Sequence, residues 1–353
     1  MVTMKTIRFF RKGFWVVLWS LLGIVVLFFG LAWVLEYRPM DREEVYRSET
    51  PGRLPDTLTI LTWNIGYAGL GDNMDFFYDG GTRVRDTRER TEANLEHIVA
   101  VLQATDADVM LLQEVDRCSK RTYRLSEVDC LQAAFPTYTL TFAYNYKARW
   151  VPIPVGRPLG RIESGLVMLS RVKPLRTLRL QYPSAFPFPE RMFNLKRCLL
   201  AASFLSAQGD TLLLANTHNT AYDTGGMRTQ EMQFLRDWLA DVAADGRPFV
   251  VGGDWNQYPP GYVPRPEELT NPYFQPEGID ARGFEPWAHF VYDTLSPSLR
   301  YLDRPYGPES LTTLTDFFLL SDQWQVLSVQ TLPEAFMASD HNPVLVRLAR
   351  ASR

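Results

Sequence analysis

Near its N-terminus the chain has a long uncharged, mainly apolar stretch at residues 14–35. As a helix this stretch would span ~33 Å, enough to cross a hydrocarbon core of roughly 30 Å. It is longer than the roughly 7–15 apolar residues of a cleaved signal peptide. Four cations precede it: Lys5, Arg8, Arg11 and Lys12. The pattern predicts a single-pass anchor within residues 1–36, with the N-terminus in the cytoplasm and the rest of the chain outside it. The alternative is a buried helix of the globular domain.

After a polar linker at residues 37–57, short apolar runs predict β-strands and two amphipathic segments predict helices. The strand candidates are residues 58–63, 108–112, 165–169, 199–204, 211–215, 249–251, 317–320 and 344–348. The helices are expected at residues 87–104 and 229–242, where apolar side chains recur at helical spacing. This order predicts an α/β fold in which two mixed β-sheets pack face to face and are flanked by helices, a four-layer sandwich. Residues 58–350 form one such domain, with a Pro-rich loop at 258–276.

The charge balance bears on the partners once the anchor is set aside. After residue 36 the chain carries 33 basic and 39 acidic side chains, a net charge of −6. Proteins that bind nucleic acid nonspecifically rely on clustered Lys and Arg. Bulk nucleic acid is therefore a disfavoured partner, although a local basic patch is not excluded. The sequence makes no prediction about oligomeric state.

Three cysteines are present: Cys118, Cys130 and Cys198. Their spacing does not match a structural zinc site. Outside the cytoplasm Cys118 and Cys130 could form a disulfide, and free thiols are an equal alternative.

Carboxylate, amide and imidazole side chains stand at the ends of several apolar strands, where loops begin. They occur as Asn64 in TWN, Glu114 in QE, His218 in NTH, Asp254 and Asn256 in GDWN, Asp316 in TDF, and Asp340 and His341 in SDHNP. Strand ends hold side chains from distant parts of a chain rigidly, so we expect these residues to converge. Each one alone also fits a structural role, such as a turn cap, a surface acid or a buried histidine.

In their order and spacing, TWN, QE, GDWN and the final SDH resemble the motifs of the endonuclease/exonuclease/phosphatase superfamily. That superfamily includes deoxyribonuclease I-like nucleases, abasic-site endonucleases, neutral sphingomyelinases and inositol polyphosphate 5-phosphatases. The resemblance runs from residue 58 to residue 348. The segment ESGLVMLSR and the NTH segment resemble lesser motifs, and Phe317 is the aromatic residue expected after Asp316. Two residues, Tyr144 and Tyr146, are candidates for the mid-chain tyrosine of the family.

The resemblance implies a metal-dependent hydrolase of phosphate esters. Mg²⁺ prefers oxygen ligands and retains several waters, so one or two carboxylates suffice to hold it. Glu114 is the expected first ligand, with Asn64 and Asp340 as further contacts. Mn²⁺ is the alternative cofactor.

The other motif residues are expected to move protons and to stabilise charge on the phosphate. Asp254 stands where the family places the residue that orients and deprotonates the attacking water, and Asn256 can donate to a phosphoryl oxygen. Asp316 is expected to pair with His341 and aim its imidazolium at the phosphate. His218 is expected to be a second phosphate contact or a leaving-group acid.

These features predict a membrane-anchored, Mg²⁺-dependent phosphodiesterase or phosphatase that acts outside the cytoplasm on a small or lipid-linked phosphate ester. A membrane-anchored endonuclease or exonuclease would use the same chemistry and would need a basic groove. A noncatalytic binding module is the third alternative. The presence of Glu114, Asp254 and His341 disfavours it.

Overall fold

The computed structural model describes residues 4–223 and 226–351. The first three residues of the predicted cytoplasmic segment lie outside this range. The α-helices are α1 Met4–Val34, α2 Arg88–Thr105, α3 Glu127–Ala134, α4 Met227–Ala244 and α5 Pro266–Leu269. The start of α2 is fixed by Thr87, whose side-chain oxygen accepts the backbone N–H of Arg90 at 3.2 Å, a standard N-cap contact. The two helices expected from periodicity, α2 and α4, are confirmed.

Strands fall into two large sheets and one small ladder. The strands are β1 Arg42–Arg47, β2 Arg53–Leu54, β3 Thr57–Asn64, β4 Val109–Asp116, β5 Thr139–Val151, β6 Gly160–Ser170, β7 Arg176–Gln181, β8 Cys198–Ser206, β9 Thr211–His218, β10 Phe249–Asp254, β11 Ala288–Val291, β12 Leu299–Arg300, β13 Thr312–Thr313, β14 Asp316–Ser321, β15 Trp324–Thr331 and β16 Val344–Arg350. Sheet I has the order β1-β7-β8-β9-β10-β14-β11, with β2 paired to β8. Sheet II has the order β15-β16-β3-β4-β6-β5, and β12 pairs with β13. Both large sheets mix parallel and antiparallel pairs.

Three hydrophobic layers hold the sandwich together. The central layer lies between the sheets and includes Ile60 and Leu111 from sheet II and Leu214 and Phe318 from sheet I, all fully buried. A second layer packs α4 on the outer face of sheet I. A third packs α2 and α3 on the outer face of sheet II. Each large apolar side chain removed from water in these layers contributes ~1.5–3 kcal/mol. The predicted four-layer α/β sandwich is confirmed.

The segment expected to be a linker, residues 37–57, contains two strands of sheet I. β1 pairs antiparallel with β7, and β2 pairs parallel with β8. The sequence REEVYR of β1 is polar because this strand lies at the sheet edge, where only every other residue is partly covered. The folded domain therefore extends closer to α1 than the hydrophobic pattern indicates.

Helix α1 carries the predicted apolar segment. Its 24 residues Arg11–Val34 are long and apolar enough to cross a membrane. Just beyond it, the Glu36 carboxylate lies 2.9 Å from Lys196 Nζ and 3.6 Å from Arg191 Nε. Burial opposes ionisation of Glu36, but these cations and Arg38 outweigh it and lower its pKa. The end of α1 is thus clamped to the loop that precedes β8.

The three cysteines lie within the described residues and are free thiols. Of the two alternatives considered for Cys118 and Cys130, the structure has the unpaired one. Cys198 is buried in the central layer.

Candidate active site

Three of the predicted site residues stand side by side across sheet I. Asp254 at the end of β10 pairs in register with His218 at the end of β9 and with Asp316 at the start of β14. The approach of β9 and β10 depends on Gly253, since a Cβ at that position would lie 2.0 Å from the carbonyl oxygen of Thr217. Backbone pairing alone therefore brings a carboxylate between an imidazole and a second carboxylate.

The facing end of sheet II supplies the remaining carboxylates and an amide. Asn64 ends β3 and pairs with Gln113 of β4, so that Glu114 follows beside it. Glu114 lies at a β-bulge, where the β4–β6 register shifts between Leu112 and Val115, and its φ is +57°. A left-handed conformation at a residue other than glycine costs ~1–3 kcal/mol and is concentrated at functional sites. The bulge turns the Glu114 carboxylate toward the space between the sheets.

Seven of the eight predicted site residues line one pocket of about 250 Å³ at this end of the sandwich. They are Asn64, Glu114, His218, Asp254, Asn256, Asp340 and His341. The eighth, Asp316, lies behind His341 and contacts it. The other two histidines, His97 of α2 and His289 of β11, do not line this pocket. The convergence expected from the sequence is thus seen in the geometry.

Asp254 is the most densely contacted of these residues. Its Oδ2 accepts from Asn64 Nδ2 at 3.1 Å and lies 3.4 Å from His218 Nε2, while its Oδ1 accepts the backbone N–H of Asn256 at 3.0 Å. Burial and the negative charge of Asp316 raise the pKa of Asp254 to about 7, against the opposing effect of His341. A carboxylate with this pKa can take and release a proton near neutral pH.

His341 and Asp316 form a buried ion pair across the two sheets. The imidazole Nδ1 lies 2.8 Å from Asp316 Oδ2. Burial disfavours the imidazolium, but Asp316, Asp254 and Asp340 outweigh it and raise the pKa of His341 to about 10. His341 is therefore a cation at neutral pH, and its Nε2–H faces the pocket within 3.7 Å of Asp254 Oδ2.

His218 has the opposite protonation. Burial, followed by the positive charges of Arg197, His341 and Arg121, lowers its pKa well below the usual value. Its Nε2 lies 3.4 Å from Asp254 and 4.0 Å from Glu114 Oε1. A neutral imidazole in this position donates one hydrogen bond and has no second proton to deliver.

Two sets of residues have the chemistry of a metal site. Asp254, Asp316 and His341 each bring one ligand atom within 4.8 Å of the others. In that set, however, the facing atoms of Asp316 and His341 already bond to each other. In the second set, Glu114 accepts no hydrogen bond from the described residues. The Arg121 guanidinium lies 3.9 Å from it through Nη1, and the neutral imidazole of His218 lies 4.0 Å from it through Nε2.

Asp340 completes the second set. From the described residues its carboxylate accepts a side-chain hydrogen bond only from Ser339 Oγ, at 3.3 Å, and it lies 4.0 Å from His341 Nε2. Its pKa is raised to about 6, chiefly by burial and also by the charge of Glu114. Two carboxylates that repel each other, Asp340 buried and Glu114 partly exposed, fit a hard divalent cation, which would relieve the repulsion. Asn64 adjoins them, with its Oδ1 accepting the backbone N–H of Gly66 at 3.0 Å.

Gly66 leaves room for the Asp340 carboxylate. Its φ is +50°, and a Cβ there would lie 2.8 Å from Asp340 Oδ1 and 3.0 Å from Ser339 Oγ. Any side chain at this position would be strained and would also displace the carboxylate. The turn after Asn64 is therefore part of the site's construction.

An amide pair beneath the pocket joins the two sheets. Gln113 Nε2 donates to Asn216 Oδ1 at 2.7 Å, and Asn216 Nδ2 donates to the carbonyl oxygens of Leu112 and Val167 at 2.9 Å each. Both amides are fully buried. Because buried polar groups are costly unless bonded, this pair fixes how the sheets align.

The sequence interpretation missed three buried arginines in the pocket wall, Arg121, Arg197 and Arg300. Arg121 is paired with Asp116 at 2.9 Å and packs over the Tyr67 ring. Arg197 has no carboxylate within ion-pair distance among the described residues. Its Nη1 donates to the carbonyl oxygen of His218 at 3.3 Å, and its Nε has no partner. Burial lowers the pKa of Arg197, yet the guanidinium remains a cation facing the pocket.

The remaining wall of the pocket is largely aromatic and aliphatic. One side is formed by Phe76 and Tyr78 from the loop after β3 and by Phe274 from the Pro-rich loop. The other side has Leu159, Tyr146, Phe186 and Leu195. Tyr146, whose hydroxyl donates to the carbonyl oxygen of Phe193 at 2.9 Å, faces the pocket, whereas Tyr144 bonds to Glu163 outside it. Of the two tyrosine candidates, the structure brings Tyr146 to the site.

The comparisons with known proteins agree with this fold. Residues 61–341 match the family described as Endonuclease/Exonuclease/phosphatase family. An endonuclease/exonuclease/phosphatase from Beutenbergia cavernae is similar in structure, with a TM-score of 0.55, 19% identity, and coverage of 84% of this chain and 72% of that chain. The human Nocturnin catalytic domain with bound sulfate has a TM-score of 0.53 and 19% identity, covering 86% and 97%. D. rerio TDP2 with a single-stranded DNA product has a TM-score of 0.53 and 15% identity, covering 83% and 98%. No curated protein sequence matches the chain.

Proposed function

The chain belongs to the endonuclease/exonuclease/phosphatase family, and from this membership we propose that it is a membrane-anchored, Mg²⁺-dependent hydrolase of phosphate esters. The observation that carries the proposal is the division of the pocket. Two carboxylates with free lone pairs, Glu114 and Asp340, lie on one side of it. A carboxylate with a pKa near 7, Asp254, and an imidazolium, His341, lie on the other.

Glu114, Asp340 and Asn64 would hold the cation. Bound there, Mg²⁺, or Mn²⁺ in its place, supplies positive charge at the phosphoryl oxygens. Arg197 and the imidazolium of His341 add charged donors to the pocket. Asn256 Nδ2 donates to the carbonyl oxygen of Asn219 at 2.9 Å and to Asp254 Oδ2 at 3.3 Å, and would donate to a phosphoryl oxygen in exchange for one of these bonds. Such donors act strongly because they are buried and already oriented.

Asp254 would take a proton from the attacking water. The water oxygen bonds to phosphorus, and the bond from phosphorus to the ester oxygen breaks. The leaving oxygen takes up a proton from a solvent water and Asp254 returns its proton to the solvent, which gives an alcohol and a phosphate product. Asp316 positions His341 and keeps it charged. We assign His218 to phosphate contact and not to protonation of the leaving group, because its lowered pKa leaves it neutral.

The anchor supports a location at a membrane. Residues 1–36 would lie in the cytoplasm and the bilayer, and the catalytic domain would lie outside the cytoplasm, as the cations before the apolar run indicate. The single-pass arrangement is supported further by the clamp between Glu36 and the loop before β8, since a segment destined for cleavage has no need of such contacts.

The test is turnover by the full-length protein in detergent micelles, with and without Mg²⁺. The substrates are bis(p-nitrophenyl) phosphate, p-nitrophenyl phosphate, phospholipids, nucleotides and single-stranded DNA. Asp254→Asn should lower kcat by about 10²- to 10⁴-fold, the usual contribution of a general base. Asp237→Asn, on the exposed face of α4, is the matched control and should leave kcat unchanged.

Equal turnover by the unmutated protein with and without Mg²⁺, or an unchanged kcat in Asp254→Asn, would overturn the proposal. Strong preference for DNA with a steep decline in salt would favour the anchored nuclease instead. Absence of turnover on every substrate would favour a noncatalytic binding module.

A further inference from the structure

Two loops at one side of the pocket carry large apolar side chains on both of their faces. We call them the β5–β6 loop, residues 152–159, and the β7–β8 loop, residues 182–197. Their inner apolar side chains, Leu159, Phe186 and Leu195, line the pocket beside the polar Glu190, Asn194 and Arg197. Their outer side chains are exposed to an extent that is unusual for large apolar groups, 96% for Val155 and 62% for Phe188. Inner faces of this kind are expected in a binding pocket, but the outer faces need a separate explanation.

The β7–β8 loop and the end of β5 contact the membrane helix next to these exposed side chains. The Phe28 ring of α1 stacks on Phe193 of the β7–β8 loop at 5.8 Å and meets the edge of Trp150, at the end of β5, at 5.8 Å. Phe28 is six residues before the end of α1 at Val34, which is ~9 Å along a helix axis. If α1 spans a bilayer, Trp150 and Phe193 lie at the depth of its last two turns.

Charges surround the apolar groups in the way that lipid head groups require. Arg149 and Arg157 flank Trp150 and Val155 and are exposed. Lys196 and Arg191 are drawn to Glu36 at the end of α1. Cations beside apolar and indole side chains favour the boundary between head groups and acyl chains.

We propose that these two loops enter the outer part of the bilayer that α1 crosses, and that the pocket takes its substrate from this leaflet. The substrate class is a phosphate ester carried by a membrane lipid, with its phosphate at Asp254 and its apolar part along Leu159, Phe186 and Leu195. This deepens the proposed function and rests on it for the hydrolysis. The membrane contact itself rests only on α1 and the two loops.

The first experiment measures depth and needs no catalysis. Full-length protein with Cys118→Ser and Cys130→Ser, in which Cys198 is buried, receives a fluorophore at Val155→Cys or Phe188→Cys. The control is Leu295→Cys, which is 91% exposed and lies in the β11–β12 connection beside the end of β15, at the opposite edge of sheet II from β5. In phosphatidylcholine vesicles with nitroxide-labelled acyl chains, fluorescence at 155 and 188 should be quenched and that at 295 should not. Equal fluorescence at all three positions would overturn the membrane contact.

The second experiment measures turnover by Val155→Asp and Phe188→Asp in the same vesicles. Hydrolysis of vesicle phosphatidylcholine, sphingomyelin or phosphatidic acid should fall about tenfold or more, the factor expected when one large apolar side chain loses its burial. Hydrolysis of bis(p-nitrophenyl) phosphate and p-nitrophenyl phosphate should stay unchanged, because neither side chain lines the pocket. Leu295→Asp should change neither class of substrate.

The outcomes separate the two proposals. Turnover of soluble esters alone, or an equal loss on both substrate classes, would overturn the lipid substrate and leave the hydrolase intact. No turnover of either class by the unmutated protein would overturn the hydrolase, while quenching at Val155 would still establish the membrane contact.

Discussion

Asp316 offers the sharpest test of how the site works, because it lies outside the pocket and acts through His341. Replacing Asp316 with Asn removes the negative charge that lies 2.8 Å from the imidazole Nδ1. The pKa of His341 stands at about 10 against an ordinary value of 6.5, a preference for the imidazolium of roughly 5 kcal/mol. An adjacent opposite charge shifts a pKa by about 1–3 units, so the variant's pKa should fall by that amount.

The expected consequence is a change in the pH profile. In the unmutated protein kcat/KM should fall on the acid side as Asp254 is protonated, and on the alkaline side only near pH 10, where His341 loses its proton. In Asp316→Asn the alkaline limb should move down by about 1–3 pH units. Above that limb, kcat should be lower by about 10²- to 10³-fold, the usual cost of losing one preorganised donor to the developing charge.

The assay is the pH dependence of kcat/KM on bis(p-nitrophenyl) phosphate at saturating Mg²⁺. Asp322→Asn, an exposed residue just beyond the far end of β14, is the matched control and should retain the profile. A loss of activity in Asp316→Asn that is equal at every pH would refute the charge argument and assign Asp316 a purely structural role.

Two further outcomes follow from the metal side of the pocket. Gly66→Ala should weaken Mg²⁺ affinity by about 10- to 100-fold in a titration of activity, because the new Cβ would push on Asp340 Oδ1. The control Gly278→Ala, at a position with open space around it, should leave the affinity unchanged. Unchanged affinity in Gly66→Ala would show that this Cβ does not crowd the Asp340 carboxylate. The folded-state pKa values of Asp254 and Asp340, about 7 and about 6, lie above their ordinary 3.8. Protonation of these two groups therefore stabilises the metal-free fold fully below pH ~4, and this contribution is lost as the pH rises through 6 and 7. The melting temperature without metal should therefore be lower at pH 8 than at pH 5, and Mg²⁺ should raise it more at pH 8; a metal effect independent of pH would contradict the assignment.

The parts of the fold that could be read from the sequence are those with continuous apolar runs. Strands β3, β4, β9 and β10 are largely buried on both faces, so each contains a short apolar run that is easily recognised. Strand β5 alternates between buried and partly exposed positions and contains several charged residues, because it lies at an edge of sheet II. An apolar-run criterion cannot find such a strand, and the same holds for β1 and β15.

The site residues also divide into those that the sequence pattern reveals and those that it does not. Residues that end buried strands, such as Asn64 and Asp254, stand out because a polar group interrupts an apolar run. Arg197 immediately precedes the apolar strand β8 in the same way and could have been found by extending the search from strand ends to strand starts. The ion-pair geometry of His341, and the neutrality of His218, depend on burial and on charges from other strands, which no single segment contains.

The candidate active site is divided between the two sheets. Asn64 and Glu114 lie on sheet II, Asp340 and His341 lie in the connection between its strands β15 and β16, and His218, Asp254 and Asp316 lie on sheet I. Neither half contains both a metal-ligand set and the carboxylate that would deprotonate water, so the molecule resembles an enzyme whose catalytic centre forms only when two subunits assemble. The Gln113–Asn216 bond then serves as the alignment device of that assembly. If the chain acts as proposed, it can hydrolyse a phosphate ester only after the two sheets have closed on each other, so that folding itself would determine when activity begins.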